Sequence, residues 1–344
     1  MKTFFNHLHT LHQGKVEMFR GEMVPCFEVA ARTEHVLHEL QRRQLGTVLQ
    51  PQGFDGAVLE RVHARRYLQF LESAWGQWVA LDPANAQRDA FPSVWPIRTL
   101  RSDVAPDNFA ARMGLFSFDT GTPLTAGTWA AARSGAHCAL SAARAVLDGD
   151  QAAFALTRPP GHHAGKDFFG GYCFLNNAAL AAQYLRDHGV ERVAVLDIDY
   201  HHGNGTQAIF YDRADVLVAS VHGNPSTEYP FYSGYADDTG VGPGLGYNLN
   251  LPLNRGSGFA DWLGALNVAL ERIAAFGAQA LVVSMGMDTF EGDPISGFKL
   301  HSDDYLRVGE RLAKVHLPTV LVFEGGYAVA EVGINAANIL QGLC

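Results

Sequence analysis

The chain has 344 residues, 47% hydrophobic and 18% charged, with a formal net charge of −9. This composition is ordinary for a globular protein with a sizeable core, and its acidic balance argues against DNA or RNA as main partner while tolerating cationic ligands. Four scattered cysteines (Cys26, Cys138, Cys173 and Cys344) suggest neither a disulfide framework nor a thiolate zinc site, and no run approaches ~18 apolar residues, so no membrane span is expected and a reducing, cytoplasmic setting fits.

Met1 to Gly14 is polar and lacks the apolar segment of a signal peptide. His7, His9 and His12 read there as a frayed polar terminus rather than a metal cluster. Helices are expected over 29–43 and 58–80. Residues 82–108 carry Pro83, Pro92, Pro96 and Pro106 with little periodicity. A long irregular segment of this kind is functional or mobile, and Phe91 and Trp95 suggest that it packs on something, such as a second subunit.

From residue 125 the pattern becomes regular. A long Ala-rich helix spans 125–148, and strand 152–156 leads into Gly161-His162-His163. Helix 176–188 precedes strand 193–198, helix 205–211 precedes strand 216–221, and a glycine-punctuated stretch (Gly240, Gly242, Gly244, Gly246) makes turns before strand 247–251. An amphipathic helix over 259–276 leads to strand 280–284, and helix 303–315 leads to strand 319–323. Strands alternating with helices imply right-handed βαβ units and a parallel sheet. The fold class is α/β in a single domain, 1–344, with loop insertions.

Ligands in open α/β sheets bind at the carboxyl ends of strands, and four of these strand ends carry polar residues: Gly161-His162-His163, Asp197/Asp199/His201, the stretch Met287–Pro294, and Glu324-Gly325-Gly326-Tyr327. Each alone has a bland reading, as a helix cap, a turn or a satisfied core histidine; four on one edge do not. Asp199 and His201, two apart on extended chain, point the same way. With Asp288 they offer two oxygens and one nitrogen, the open three-ligand set of catalytic zinc. Such an ion makes bound water a nucleophile. His162 and His163 supply a base and an acid, Asp197 and Asn204 hold the two imidazoles, and Tyr327 donates to the oxyanion. Neither Gly-x-Ser-x-Gly nor a dinucleotide or phosphate-loop fingerprint occurs. Tyr229-Pro230-Phe231-Tyr232 reads as half pocket wall and half packing, and His222 as satisfying a nearby carboxylate.

The segments Arg158–Gly165, Gly170–Asn177, Asp197–Thr206, Asp288–Pro294 and Glu324–Tyr327, with Gly21–Pro25 near the start, resemble the histone deacetylase superfamily, most closely its bacterial acetylpolyamine amidohydrolase branch. The resemblance covers nearly the whole chain. It implies the three-layer α/β/α arginase/deacetylase fold with a mainly parallel sheet. It assigns zinc, with iron(II) as the other option, to Asp199, His201 and Asp288, general base and acid roles to His163 and His162, and transition-state stabilisation to Tyr327. It further implies potassium held by Asp197, Asp199, His201, Ser220 and the carbonyl of Val221, and a second potassium on backbone around Phe210, Arg213 and Val216. Gly171, Tyr172, Tyr229 and Ile295 fall at substrate-tunnel positions, Ile295 where polyamine-selective eukaryotic relatives carry a glutamate. Residues 82–123 correspond to an insertion that narrows the site and mediates homodimers.

The resemblance therefore implies a zinc-dependent amidohydrolase acting on a small acetylated amine, such as a polyamine or diamine. One departure bears on this. Branch members place glutamates in the insertion where this chain has Ala110 and Gly121, with Asp107 and Asp119 close by in sequence. An acyl-lysine peptide or an uncharged small amide thus stays open as substrate. The arginase relatives bind two manganese ions through further aspartates, where this chain has Gly203 and Phe290.

Overall fold

The computed structural model describes residues 1–97 and 99–343. Its strands are β1 (Lys2–Phe4), β2 (Val16–Phe19), β3 (Glu22–Pro25), β4 (Thr47–Leu49), β5 (Ala152–Ala155), β6 (Val193–Asp197), β7 (Val216–Gly223), β8 (Asn248–Leu253), β9 (Ala280–Met285) and β10 (Thr319–Phe323). Its α-helices are α1 (Ala31–Arg42), α2 (Gly56–Leu59), α3 (Arg65–Leu81), α4 (Phe109–Leu115), α5 (Thr128–Leu147), α6 (Asn177–Asp187), α7 (Asn204–Phe210), α8 (Phe259–Phe276), α9 (Ser302–Ala313) and α10 (Val329–Leu343).

Eight strands form one sheet in the order β4-β1-β5-β10-β9-β6-β7-β8, with every pairing parallel. β2 and β3 make a separate antiparallel hairpin. In β6, Val193 and Val195 enter one core while Ala194 and Leu196 enter the other. Burial on both faces is why the strand reads as an unbroken apolar run. Helices α3, α5 and α6 cover the first face, through Leu71, Ala139 and Leu180 among others. Helices α1, α8, α9 and α10 cover the second, through Leu40, Leu266, Leu312 and Leu340. The result is the three-layer α/β/α architecture.

The four strands with polar ends, β5, β10, β9 and β6, are contiguous in the sheet. Parallel neighbours end on the same edge, so their four loops meet.

Several expectations need correction. The helix expected over 58–80 is two, α2 and α3. His63 breaks it: its Nδ1 lies 2.8 Å from the Gly165 carbonyl, its Nε2 accepts the Asn176 N–H at 3.0 Å, and the next residue's N–H bonds Lys166 O. The N-terminal segment is not frayed. Residues 2–4 form β1, inside the sheet, and the 3₁₀ turn His7–Leu11 follows. His9 and His12 are buried, with Thr33 Oγ1 3.1 Å from His9 Nδ1 and Thr128 Oγ1 2.9 Å from His12 Nδ1. His222 meets Ser220 Oγ and the Gly234 carbonyl, not a carboxylate. Residues 82–108 contain a 3₁₀ turn, Pro83–Gln87, and a bridge from Ala90 to Leu124. Trp95 packs within the chain, its Nε1 donating to Ser117 Oγ. No helix among the described residues is long and apolar enough to cross a membrane.

Candidate active site

The end of β6 delivers Asp199 and His201, and the loop after β9 delivers Asp288. Ligand atoms of the three lie within 4.8 Å of one another, all on buried residues. His201 Nδ1 is 2.9 Å from Asp288 Oδ2 and 3.5 Å from Asp199 Oδ1. Backbone amides orient the acids: Gly325 N–H donates to Asp199 Oδ2 at 2.8 Å, and Tyr200 N–H donates to Asp288 Oδ1 at 2.8 Å. A Cβ at residue 325 would sit 2.5 Å from Asp199 Oδ2 and 2.6 Å from Asp288 Oδ2, so only glycine fits against the cluster.

Burial and the neighbouring Asp199 charge push Asp288 up to about 7. Burial alone would lower His201, but hydrogen bonds and charges from Asp199 and Asp288 outweigh it and raise the ring to about 10. Two buried carboxylates facing one imidazole need a proton or a cation between them. A divalent ion that accepts nitrogen and oxygen ligands, with an open position, suits this donor set. A second convergence, His162, Cys173 and Glu324, is differently satisfied. Glu324 Oε2 accepts N–H bonds from Gly161 (2.6 Å) and His162 (3.2 Å), and burial drives the Cys173 thiol far up.

The two histidines after β5 sit in different surroundings, their rings 4.1 Å apart. His162 Nδ1 is 2.9 Å from Asp197 Oδ2. Against burial, the charges of Asp199 and Asp197 raise it to about 10. His163 Nδ1 is 2.7 Å from Asn204 Oδ1. Burial first, then the neighbouring His162 and His201, push His163 well below its ordinary value. A carbonyl acceptor at Nδ1 assigns the proton to that nitrogen and leaves Nε2 with a free lone pair.

A cavity of about 530 Å³ opens onto this cluster, with His163, His201 and Tyr327 among its lining residues. His162 does not line it, so of the pair only His163 reaches the space. The expected tunnel residues Gly171, Tyr172, Tyr229 and Ile295 all line it. Gly171 has φ +53°, and a Cβ there would strike His163 Cδ2 at 2.2 Å. Phe231 lines the cavity too, whereas Tyr232 is 95% exposed. Tyr327 is buried, its N–H held by Asp293 Oδ2 at 2.7 Å and its ring 4.7 Å from the Arg32 guanidinium.

Sequence reasoning missed several supports. Arg32 donates to the carbonyls of Gly326 (2.6 Å) and Glu324 (2.5 Å), pinning the Tyr327 loop, and Glu28 bridges Arg32 to Arg158. Asp119, noted only as an acid near the missing glutamates, accepts the Gly171 N–H at 2.7 Å and the Tyr229 O–H at 2.6 Å. Glu17 accepts the Tyr172 O–H at 2.6 Å. Neither Glu17 nor Arg32 is marked in the sequence: the burial of Glu17 and the reach of Arg32 appear only once the chain is folded. Of the residues expected to hold potassium, Asp197 and Ser220 are register partners on β6 and β7, and Phe210 O accepts the Arg213 N–H.

The model of the histone deacetylase domain matches residues 26–343. Acetylpolyamine amidohydrolase 2 of Pseudomonas aeruginosa is 51% identical over 342 residues, spanning 99% of this chain and 98% of that protein. Acetylpolyamine amidohydrolase of Mycoplana ramosa is 45% identical over 343 residues, spanning 100% and 99%. The crystal structure of acetylpolyamine aminohydrolase from Burkholderia pseudomallei superposes with a TM-score of 0.95 at 39% identity, covering 99% of this chain and 98% of that one.

Proposed function

The chain belongs to the histone deacetylase family and is a hydrolytic deacetylase, and from that premise we propose that it removes acetyl groups from small amines such as acetylated polyamines or diamines. The observation that carries this reading is one cavity into which His163, His201 and Tyr327 converge between the rings of Tyr172 and Tyr229. Its walls suit a linear alkyl chain ending in an amide. Asp119, Thr120 and Gly121 of the 82–123 segment line it together with Met18, Phe19 and Arg20 of the β2–β3 hairpin, which favours a small amine over a protein surface. The names of the relatives point to the same substrates.

Asp199, His201 and Asp288 would hold zinc, or iron(II). The bound ion supplies Lewis acidity, lowering the pKa of a water to roughly 7 and polarising the acyl carbonyl. His163 takes the proton of the attacking water at Nε2, with Asn204 fixing Nδ1–H. It then delivers that proton to the leaving amine nitrogen, so the base and acid duties fall to one imidazole. His162, its Nδ1 2.9 Å from Asp197 Oδ2, lies behind it. The Tyr327 O–H, kept protonated by burial, donates to the carbonyl oxygen as it gains charge.

Three further readings belong with this one. Asp197, Asp199, His201, Ser220 and the Val221 carbonyl would hold potassium, and the backbone of Phe210, Arg213 and Val216 would hold a second. The protein acts as a cytoplasmic homodimer in one domain, its partner covering the exposed Val94, Ile97, Leu100 and Val104 of the 82–123 segment. The alternative substrates, an acyl-lysine peptide or a neutral amide, are favoured by the absence of acids at Ala110 and Gly121.

The test is kcat/KM on protein of verified metal content. Acetylputrescine, acetylcadaverine, acetylspermidine, an acetyl-lysine peptide and an uncharged N-alkyl acetamide would be compared. Small charged amines are expected to lead by tenfold or more. A lead for the peptide or the neutral amide would overturn the substrate reading.

A further inference from the structure

The β2–β3 hairpin carries Met18, Phe19 and Arg20 to the cavity. Among the described residues lining it, Arg20 is the one lysine or arginine. Its backbone has φ +52°, a left-handed conformation uncommon for a residue with a long side chain. With Gly21 at φ +88° it makes the two-residue turn that joins β2 to β3, so the hairpin holds Arg20 at its tip. The guanidinium lies 5.0 Å from the Phe19 ring centroid and forms no ion pair among the described residues.

Two carboxylates share this lining. Glu228 is occupied, its oxygens 3.3 and 3.2 Å from Arg255 Nη1. Asp119 is half occupied: Oδ2 receives Gly171 N–H and Tyr229 O–H, while Oδ1 is buried with no hydrogen-bond partner. The unpartnered Asp119 Oδ1 is closed off from the cavity, which therefore offers a ligand one free guanidinium.

On the reading that this is a deacetylase of small amines, we propose that the amine portion it favours is an amino acid: free Nε-acetyl-lysine, with its α-carboxylate on Arg20. Four methylenes separate the amide nitrogen of that substrate from its Cα, a linear stretch of the kind the aromatic walls accept. A polyamine would instead set a second ammonium against Arg20, and Ala110 and Gly121 supply no acid to offset it. Guanidinium and carboxylate match in geometry as well as charge.

Three substrates isolate the contact on zinc-loaded enzyme. Nε-acetyl-lysine and acetylcadaverine differ by one carboxylate, and Nε-acetyl-lysine amide blocks that carboxylate while keeping the ammonium. The wild type should prefer acetyl-lysine to both by at least about fivefold in kcat/KM, the scale of one exposed charged contact. Arg20→Gln should erase that preference through KM, with kcat for acetylcadaverine unchanged, and Arg20→Lys should restore part of it. Arg20 is exposed on a turn, so both variants should fold as wild type. A wild type that prefers acetylcadaverine, or an Arg20→Gln variant that loses equally on all three, overturns the inference while leaving small-amine deacetylation standing. If the metal-loaded enzyme hydrolyses none of the small amides, the broader reading falls as well.

Discussion

Tyr327→Phe removes one oxygen and little else. The ring is 7% exposed, stacked 4.7 Å from the Arg32 guanidinium and 5.5 Å edge-on from the Tyr172 ring. Its backbone N–H is held by Asp293. Phenylalanine keeps all of these contacts, so folding stability should change by no more than about 0.5 kcal/mol, as for substitutions that create neither cavity nor buried orphan. What is lost is a donor aimed at charge that develops only in the transition state. Loss of one such donor costs about 10²–10³ in kcat, roughly 2.7–4 kcal/mol. KM should move little, because the ground-state carbonyl depends on the hydroxyl far less than the oxyanion does. The assay is release of primary amine from acetylputrescine, with thermal melting and zinc content measured on the same preparation. A variant with full zinc, wild-type melting and kcat within threefold of wild type would refute the assignment of Tyr327.

Asp288→Ala should abolish stoichiometric zinc binding while the chain still folds, since it removes a crowded acid; full zinc retention would disprove the ligand role. Metal-free protein should lose stability as pH rises from 6 to 9. Asp288, at about 7 in the folded chain, lies above its ordinary carboxyl value, and His201, at about 10, lies above that of imidazole, so the folded state holds protons that the unfolded state releases. Binding zinc expels those protons, so its stabilisation should be larger at pH 8.5 than at pH 6; equal shifts in melting temperature would contradict the proposed ligands. Ile97→Glu combined with Leu100→Glu places two charges among exposed apolar side chains and should convert a dimer to monomer in sedimentation velocity, whereas an unchanged sedimentation coefficient would move the interface elsewhere.

The central strands were legible because burial on both faces forces unbroken runs such as Val193–Leu196, and because acids and histidines at their ends cannot be core. Spacing alone paired Asp199 with His201. Joining Asp288 and Tyr327 to them rested on four polar strand ends read as one edge and on the family resemblance, because no local pattern encodes the spatial order of strands. β1 and β4 have three residues each, too few to show a period. The break before α3 is a tertiary effect, since His63 bonds a loop 102 residues away. His9 and His12 looked like solvated polar residues but are buried with threonine partners. Arg32 sits on α1, an ordinary amphipathic helix in sequence, and its tie to the Tyr327 loop spans 294 residues.

The sheet order also constrains how the molecule is made. β5 and β6 precede β9 and β10 in the chain, yet β10 and β9 lie between them. Until residues 280–323 are synthesised and inserted, the chain can hold only two half-sheets, β4-β1-β5 and β6-β7-β8, each with an unpaired inner edge. Exposed strand edges invite misassociation, and late long-range pairing is slow. Metal capture cannot seed this process, because Asp288 arrives with the strand that closes the gap.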